Sequence, residues 1–408
     1  MSLNNEPNFK SINLFTATCI VVANMIGTGV FTSLGFQVVD IKSGFVILFL
    51  WLVGGIFALC GALAYGELGA AMPRNGGEYY YLSRIYHPVI GFLSGWVSVT
   101  VGFAAPIAVA AMSLGQYFTA VFPLFSPTAI ALLVVIAVSL IHTRNLQFGS
   151  SFQYMFTLLK VLLILVLVFC GFYLAEPQKL GFLPSTTDVS AIFSSPFAVS
   201  LVYVIYSYSG WNAAVYLANE VEKPEKNVPR ALITGTLIVM GLYLLLNLMF
   251  LYTTPLEQLA GKLEVGYIAA NYIFGANGAK IIGLLISVGL ISSISSMVLA
   301  GSRVSQVIGE DIGYIKYERG DIEEAIQEWQ RAVEVDSDLT GAQLALAVVL
   351  HSKGEQQKAL NMAQATLRLD KYLADVEVLK QNLWGTKLIA EGEKLLSHPQ
   401  IQALGVKK

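Results

Sequence analysis

Runs of about 20 apolar, nearly uncharged residues recur along the first three quarters of this chain, and no other feature limits its fold so strongly. A helix needs about 20 such residues to cross roughly 30 Å of hydrocarbon at about 1.5 Å per residue. By that measure, spans fall near residues 12–38, 43–70, 88–121, 127–142, 150–174, 195–219, 229–253 and 278–308, the fourth being the shortest. The expected fold is all-α, a polytopic membrane helical bundle. A chain that is 55% hydrophobic and 13% charged, with mean hydropathy +0.64, lies outside the range of soluble domains and is mostly membrane-embedded.

The remaining composition excludes other classes. A net charge of -2 without a basic cluster leaves no electrostatic footprint for nucleic acid. Cys19, Cys60 and Cys170 sit inside apolar runs, and His87, His142, His351 and His398 lack metal-cage spacing, so neither a disulfide framework nor a metal or cofactor site is expected. Nothing in the pattern points to an enzyme. The polar start MSLNNEPNFK has a single Lys10, and the apolar run after it continues through Phe31, too long for a signal-peptide core. The first segment is expected to stay in the mature protein.

Orientation follows from the basic residues of the short loops. With the N-terminus inside, Arg74, Arg84, Arg144, Lys223, Lys226 and Arg230 fall in inner loops. Lys42, Lys179 and Lys262 fall in outer ones, with Lys280 at the start of the last span. The bias favours a cytoplasmic N-terminus, and eight spans then return the C-terminus to the same side.

From about residue 310 the chain turns charged and repetitive. Gly320 and Gly354 are 34 residues apart, as are Ala325 and Ala359, and Asp336 and Asp370, which is the tetratricopeptide period. GDIEEAIQEWQRAVEVD places Gly320, Ala325, Trp329 and Ala332 as that repeat requires. GEQQKALNMAQATLRLD is weaker, with Ala363 at the aromatic position. Gly309 stands where the first repeat's opening helix would carry a tryptophan or similar anchor, so that helix is expected to be shared with, or cut short by, the last span. Residues 374–396, with Val378, Leu379, Leu388, Leu395 and Leu396, are expected to cap the stack. The expected domains are a membrane domain, 1–308, and a small cytoplasmic α-solenoid of tetratricopeptide repeats, 309–408.

Two apolar runs carry interruptions. NMIGTGVF in the first contains Gly27 and Gly29, each costing roughly 1 kcal/mol against alanine in a helix. YVIYSYSGWN in the sixth contains Ser207, Ser209 and Gly210 near mid-depth. Small residues alone can mean a close helix crossing. Interruptions at corresponding places in the two halves of a chain point instead to a transporter binding site. A broken helix exposes N–H groups at one new end and C=O groups at the other, which suit a carboxylate and an ammonium respectively, the two poles of an amino acid.

IGTGVF, AYGELGAAMPRNGGEYYYL at 64–82 and YSYSGWNAAVYLANEVEKPEKNVPRAL at 206–232 together resemble the amino acid/polyamine/organocation superfamily, nearest to its L-type amino acid transporter branch. The resemblance covers residues 10–308. It implies a five-plus-five inverted-repeat fold with substrate between spans one and six, in the plasma (inner) membrane. Carried over by residue, it assigns the carboxylate site to the backbone of Ile26, Gly27, Thr28 and Gly29. The ammonium site falls at the carbonyls around Tyr206, Ser207, Ser209 and Gly210, with Tyr206 as an aromatic gate where relatives often have phenylalanine.

Lys160, in QYMFTLLKVLLILVLVF, lies about 15 Å deep, beyond easy snorkelling, and should therefore face the protein interior. Proton-coupled relatives place a lysine here, which makes Lys160 a candidate proton carrier. The structural alternative is a lysine bound to carbonyls of span one or to serines such as Ser293 and Ser296. Glu67 and Glu78, with Arg74 and Arg84, read as a gate or a helix-end salt bridge. Pro229, following Asn227, reads as a helix start, and Trp211 as either substrate-facing or, more often for an aromatic on an apolar helix, packing.

The family's eighth span matches Ser292, Ser293, Ser295 and Ser296 with LAGSRVSQVIGED, and there the resemblance stops, before the family's ninth and tenth spans. The leading expectation is secondary transport of amino acids, proton-coupled or by exchange, in the lipid bilayer, completed by homo-oligomerisation or a partner. The alternatives are an amino acid sensor that reports through a protein partner on its repeat scaffold, and a truncated fusion that does not transport.

Overall fold

The computed structural model describes residues 12–142, 146–335 and 339–404. Lys10 and Arg144, counted above for orientation, and Asp336, counted for the repeat, lie outside them. The chain divides into two compact units, Lys10–Ser302 and one that includes Arg303–Lys408.

The first unit is helical, and its β pairing among the described residues is one isolated parallel bridge, Ile12 to Val221. The first apolar run forms two helices, α1 (Leu14–Met25) and α2 (Gly29–Asp40), separated at Ile26–Thr28. Asn13 caps α1 by accepting from the Thr16 amide at 2.9 Å. Then come α3 (Gly44–Ala71), α4 (Glu78–Ile85), α5 (Pro88–Val97), a π turn over Ser98–Gly102, α6 (Ala104–Val121), α7 (Pro127–His142) and α8 (Leu146–Leu174). After α9 (Thr186–Ile192), the sixth run yields α10 (Ser195–Ser207) and, after a break, a 3-10 segment over Ala213–Glu220. α11 (Pro224–Thr253), α12 (Leu256–Leu259) and α13 (Val265–Arg319) follow; helical geometry is interrupted at Gly275, where φ is +69°.

Among the described residues, six stretches are long and apolar enough to cross a membrane: Leu14–Asp40, Gly44–Ala71, Pro88–Thr119, Tyr154–Leu174, Pro224–Thr253 and Val265–Arg319. The bent pair α9 and α10, at 66°, makes a seventh. The expected fourth span is the 16-residue helix α7, shorter than the rest.

The structure corrects the start of the seventh span. α11 begins at Pro224, not at Pro229. Proline suits a first helical position because its φ is preset and the amide there has no partner to lose. Pro229 lies inside the helix, where its Cα and ring approach Gly66 on α3; a Cβ at Gly66 would lie 3.2 Å from that Cα. The missing ladder bond is offset by this close crossing.

In the second unit, the end of α13 pairs with α14 (Ile322–Val335), and α15 (Thr340–Ser352) with α16 (Gln356–Leu369). The opening helix of the first repeat is thus α13 itself, as a shared helix. The indole of Trp329, fully buried, packs on Tyr314 at 5.6 Å and Tyr317 at 6.0 Å, and its Nε1 donates to the Glu310 carbonyl at 3.1 Å. Gly313 makes room, since a Cβ there would fall 2.3 Å from the indole nitrogen.

The cap is α17 (Val376–Gln381), α18 (Thr386–Leu396) and α19 (Pro399–Gln402). α18 turns back rather than extending the stack. Gly392 faces Val348 of α15, Trp384 stacks near Tyr314 at 5.7 Å, and the Glu318 carboxylate accepts the amides of Lys387 at 3.2 Å and Leu388 at 2.9 Å. Trp329→Ala is expected to destabilise this unit by about 3–5 kcal/mol, the usual cost of emptying an aromatic site. The check is limited proteolysis, which should cut rapidly within residues 303–404 while the first unit stays protected.

Candidate functional site

The two broken runs meet at one cavity of about 220 Å³. Gly27, Thr28 and Gly29 line it from the first break, and Tyr206, Ser207, Ser209 and Gly210 from the second. All seven are residues that the sequence singles out. Ile26, singled out with them, does not line the cavity; its side chain is fully buried.

The breaks touch closely, and glycine permits it. A Cβ on Gly29 would lie 2.6 Å from Ser207 Oγ and 2.9 Å from Ser207 Cα. Gly210 has φ +97°, the left-handed region, and a Cβ there would fall 2.9 Å from the backbone carbon of Asn24. Ser207 Oγ donates to the Tyr203 carbonyl at 2.8 Å and lies 2.8 Å from Ser33 Oγ, which pins α10 to α2.

Each break leaves helix ends whose backbone groups lack a partner one turn away. At α2 the first turn offers N–H groups without a partner one turn back, and its first residue, Gly29, lines the cavity. At the end of α1 the orphaned carbonyls are taken up by protein groups. Lys160 Nζ on α8 donates to Ala23 O at 3.2 Å, Ile26 O at 2.6 Å and Ser293 Oγ at 2.7 Å, and Ser293 Oγ donates onward to Ile26 O at 2.7 Å. Lys160 is buried, 3% exposed, and caps the first half-helix. Of the two serines expected near it, Ser293 is its partner, whereas Ser296 donates to Ile20 O at 3.1 Å.

Tyr243 on α11 ties both breaks together. Its hydroxyl reaches Met25 O at 2.7 Å and Ser207 O at 3.0 Å. The Tyr206 carbonyl accepts the Ser209 amide at 3.0 Å and is also approached by the Tyr208 amide, whereas the Ser207 carbonyl, bonded to Tyr243, keeps a further lone pair for a ligand. Tyr243→Phe removes the single hydroxyl donor that these two buried carbonyls share and is expected to cost about 1–3 kcal/mol. Its melting temperature should fall by a few degrees, and ligand should bind more weakly.

Sequence reasoning missed Tyr243, and also Asn24, Phe103, Pro106, Asn212 and Met297, which line the cavity. A lone hydroxyl in the apolar run MGLYLLLN was the available signal for Tyr243. Trp211 stands away from the cavity, edge-on to Tyr65 at 5.0 Å, in packing as expected. Among the charges at and after the end of α3, Glu67 is exposed, Arg74 lies over the Tyr80 ring at 5.2 Å, and Glu78 is bonded to Asn212 and Tyr216.

A helical membrane protein whose first and sixth apolar runs break at one shared cavity has the architecture of a secondary transporter. The amino acid permease family profile matches residues 12–316, and the chain belongs to that family. A TPR repeat profile matches residues 313–354.

Among similar proteins, the serine/threonine exchanger SteT of Bacillus subtilis is 29% identical over 74% of this chain and 68% of its own length. The mouse b(0,+)-type amino acid transporter 1 is 26% identical over 74% of this chain and 63% of its own. The mouse large neutral amino acids transporter small subunit 2 is 27% identical over 68% and 52%. The chain thus spans only about half to two thirds of these relatives' length.

Two solved structures share the fold. MhsT in complex with L-phenylalanine superposes with TM-score 0.51 at 13% identity, covering 96% of this chain and 97% of that one. The Eremococcus coleocola manganese transporter, in complex with an aromatic bis-isothiourea compound, gives 0.51 at 13%, covering 99% and 87%.

Proposed function

We propose that this protein carries amino acids across a membrane as a secondary transporter, with the substrate held between the two broken runs. The meeting of both breaks at one cavity supports this reading most directly. The amides at the start of α2 would hold the carboxylate, and the carbonyls around Tyr206 and Ser207, that of Ser207 foremost, the ammonium. Tyr206, half exposed at the cavity edge, would act as the aromatic gate. Transport would be proton-coupled or by exchange, with Lys160 as the proton carrier in the first case.

The basic loops favour cytoplasmic termini in a plasma (inner) membrane. Residues 1–308 would form the permease domain and 309–408 a cytoplasmic repeat domain that takes a protein partner. Uptake of a panel of labelled amino acids by the purified chain in liposomes tests this, under a proton gradient and with trans substrate. Saturable uptake supports transport. Binding without uptake would favour a sensor acting through the repeat domain, and neither would remove both readings.

A further inference from the structure

The loop between α3 and α4 is buried, an unusual place for irregular backbone unless the protein satisfies it. Arg74, Asn75, Gly76 and Gly77 are all buried, and the loop is stitched to the 3-10 segment after the second break. Asn75 Oδ1 accepts the Asn219 amide at 2.9 Å, and Asn75 Nδ2 donates to Glu220 Oε1 at 3.3 Å. Glu220 O in turn accepts the Ile12 amide at 3.1 Å, which draws in the chain ahead of α1. Gly77, at φ +53°, lies so close to Tyr216 that a Cβ would fall 2.5 Å from the ring.

Glu78 completes this seam. One carboxylate oxygen accepts from Asn212 Nδ2 at 2.5 Å and the other from the Tyr216 hydroxyl at 2.5 Å. Asn212 and Tyr216 also line the cavity. The carboxylate therefore grips the cavity wall from outside the cavity, through hydrogen bonds to a charged acceptor, the stronger kind.

We propose that Glu78 is the positioning residue of a gate: it bolts the α3–α4 loop to Asn212 and Tyr216 beneath the cavity, and the cavity opens toward that loop only when these bonds release. This rests on the cavity being the substrate site. The device is local: three chain segments meet beside the cavity, and Glu78 joins two of them through residues that line it. Asn75 and the bridge at Ile12 hold the seam further from the cavity, so loss of Glu78 should loosen the part nearest the substrate first.

The test uses the full chain in liposomes, with Cys19, Cys60 and Cys170 replaced by alanine and a reporter cysteine at the cavity residue Ser98. A membrane-impermeant thiol reagent is applied from the α3–α4 loop side. Glu78→Ala is expected to speed modification of the reporter roughly tenfold, the shift that loss of charge-assisted bonds gives an open–closed equilibrium. Glu78→Gln keeps the shape but offers one acceptor oxygen to two donors, Asn212 Nδ2 and the Tyr216 hydroxyl, so one of the two bonds is lost with the charge, and it should also speed modification. Adding Asn212→Asp to Glu78→Gln exchanges donor for acceptor, restores the bond and should return the slow rate.

Unchanged reactivity in Glu78→Gln, or a double variant no slower than that single one, would overturn the proposal. The near-isosteric glutamine keeps the test valid if the alanine variant does not fold. The readout needs no substrate, so its failure is separate from a failure of uptake.

Discussion

Gly29→Leu is expected to abolish saturable ligand binding, and uptake with it, while most of the bundle stays folded. The new Cβ alone would sit 2.6 Å from Ser207 Oγ and 2.9 Å from Ser207 Cα. Oγ cannot simply swing away, because it donates to the Tyr203 carbonyl at 2.8 Å and lies 2.8 Å from Ser33 Oγ. The clash with the Ser207 backbone cannot be relieved by any rotamer, so α2 and α10 must part, and overpacking of this kind costs about 1–3 kcal/mol before the leucine branches are placed. The same displacement separates the amides of the first break from the carbonyls of the second, so affinity should drop by more than about tenfold. Gly29→Ala should show a smaller loss, and Ser207→Gly in that background should recover part of it by removing Oγ and Cβ. Titration calorimetry or radioligand binding checks each variant; wild-type affinity in Gly29→Leu would mean that the ligand does not sit between the breaks.

The helix breaks were legible in the sequence because lipid makes interrupted backbone conspicuous. Gly27, Gly29 and Gly210 stand in runs where nothing else opposes a helix. The groups that satisfy the broken ends were harder to foresee. Tyr243 comes from a helix more than two hundred positions after α1, and no spacing rule connects it to Met25. Lys160 was conspicuous as a buried charge, yet only the packed structure shows that it reaches Ala23, Ile26 and Ser293 together.

Pro229 misled because proline marks helix starts, and Pro224 claimed that role first. In the repeat unit, the period of 34 residues located the helix pairs and the segment after them, but not how α18 packs. Its turn back onto α15 and the end of α13 depends on the single Glu318 carboxylate and on Trp384, which no repeat position specifies.

Lys160 separates two readings of the same geometry. An ammonium has three donors, and all three find acceptors at Ala23 O, Ile26 O and Ser293 Oγ, a pattern that suits a structural cap on α1. A proton carrier must also give up its charge, and Ser293 can keep Ile26 O satisfied when it does, through its own bond at 2.7 Å. Lys160→Ala is expected to leave Ala23 O without its donor, at a cost of about 1–3 kcal/mol, and to end accumulation driven by a proton gradient. Arginine supplies the discriminating variant, since it keeps the charge and the donors but does not release a proton in proteins. Under the proton reading, Lys160→Arg retains ligand binding and one-for-one exchange but loses gradient-driven accumulation. Under the cap reading it retains all three, and uptake measured with and without a gradient in the same liposomes decides between them.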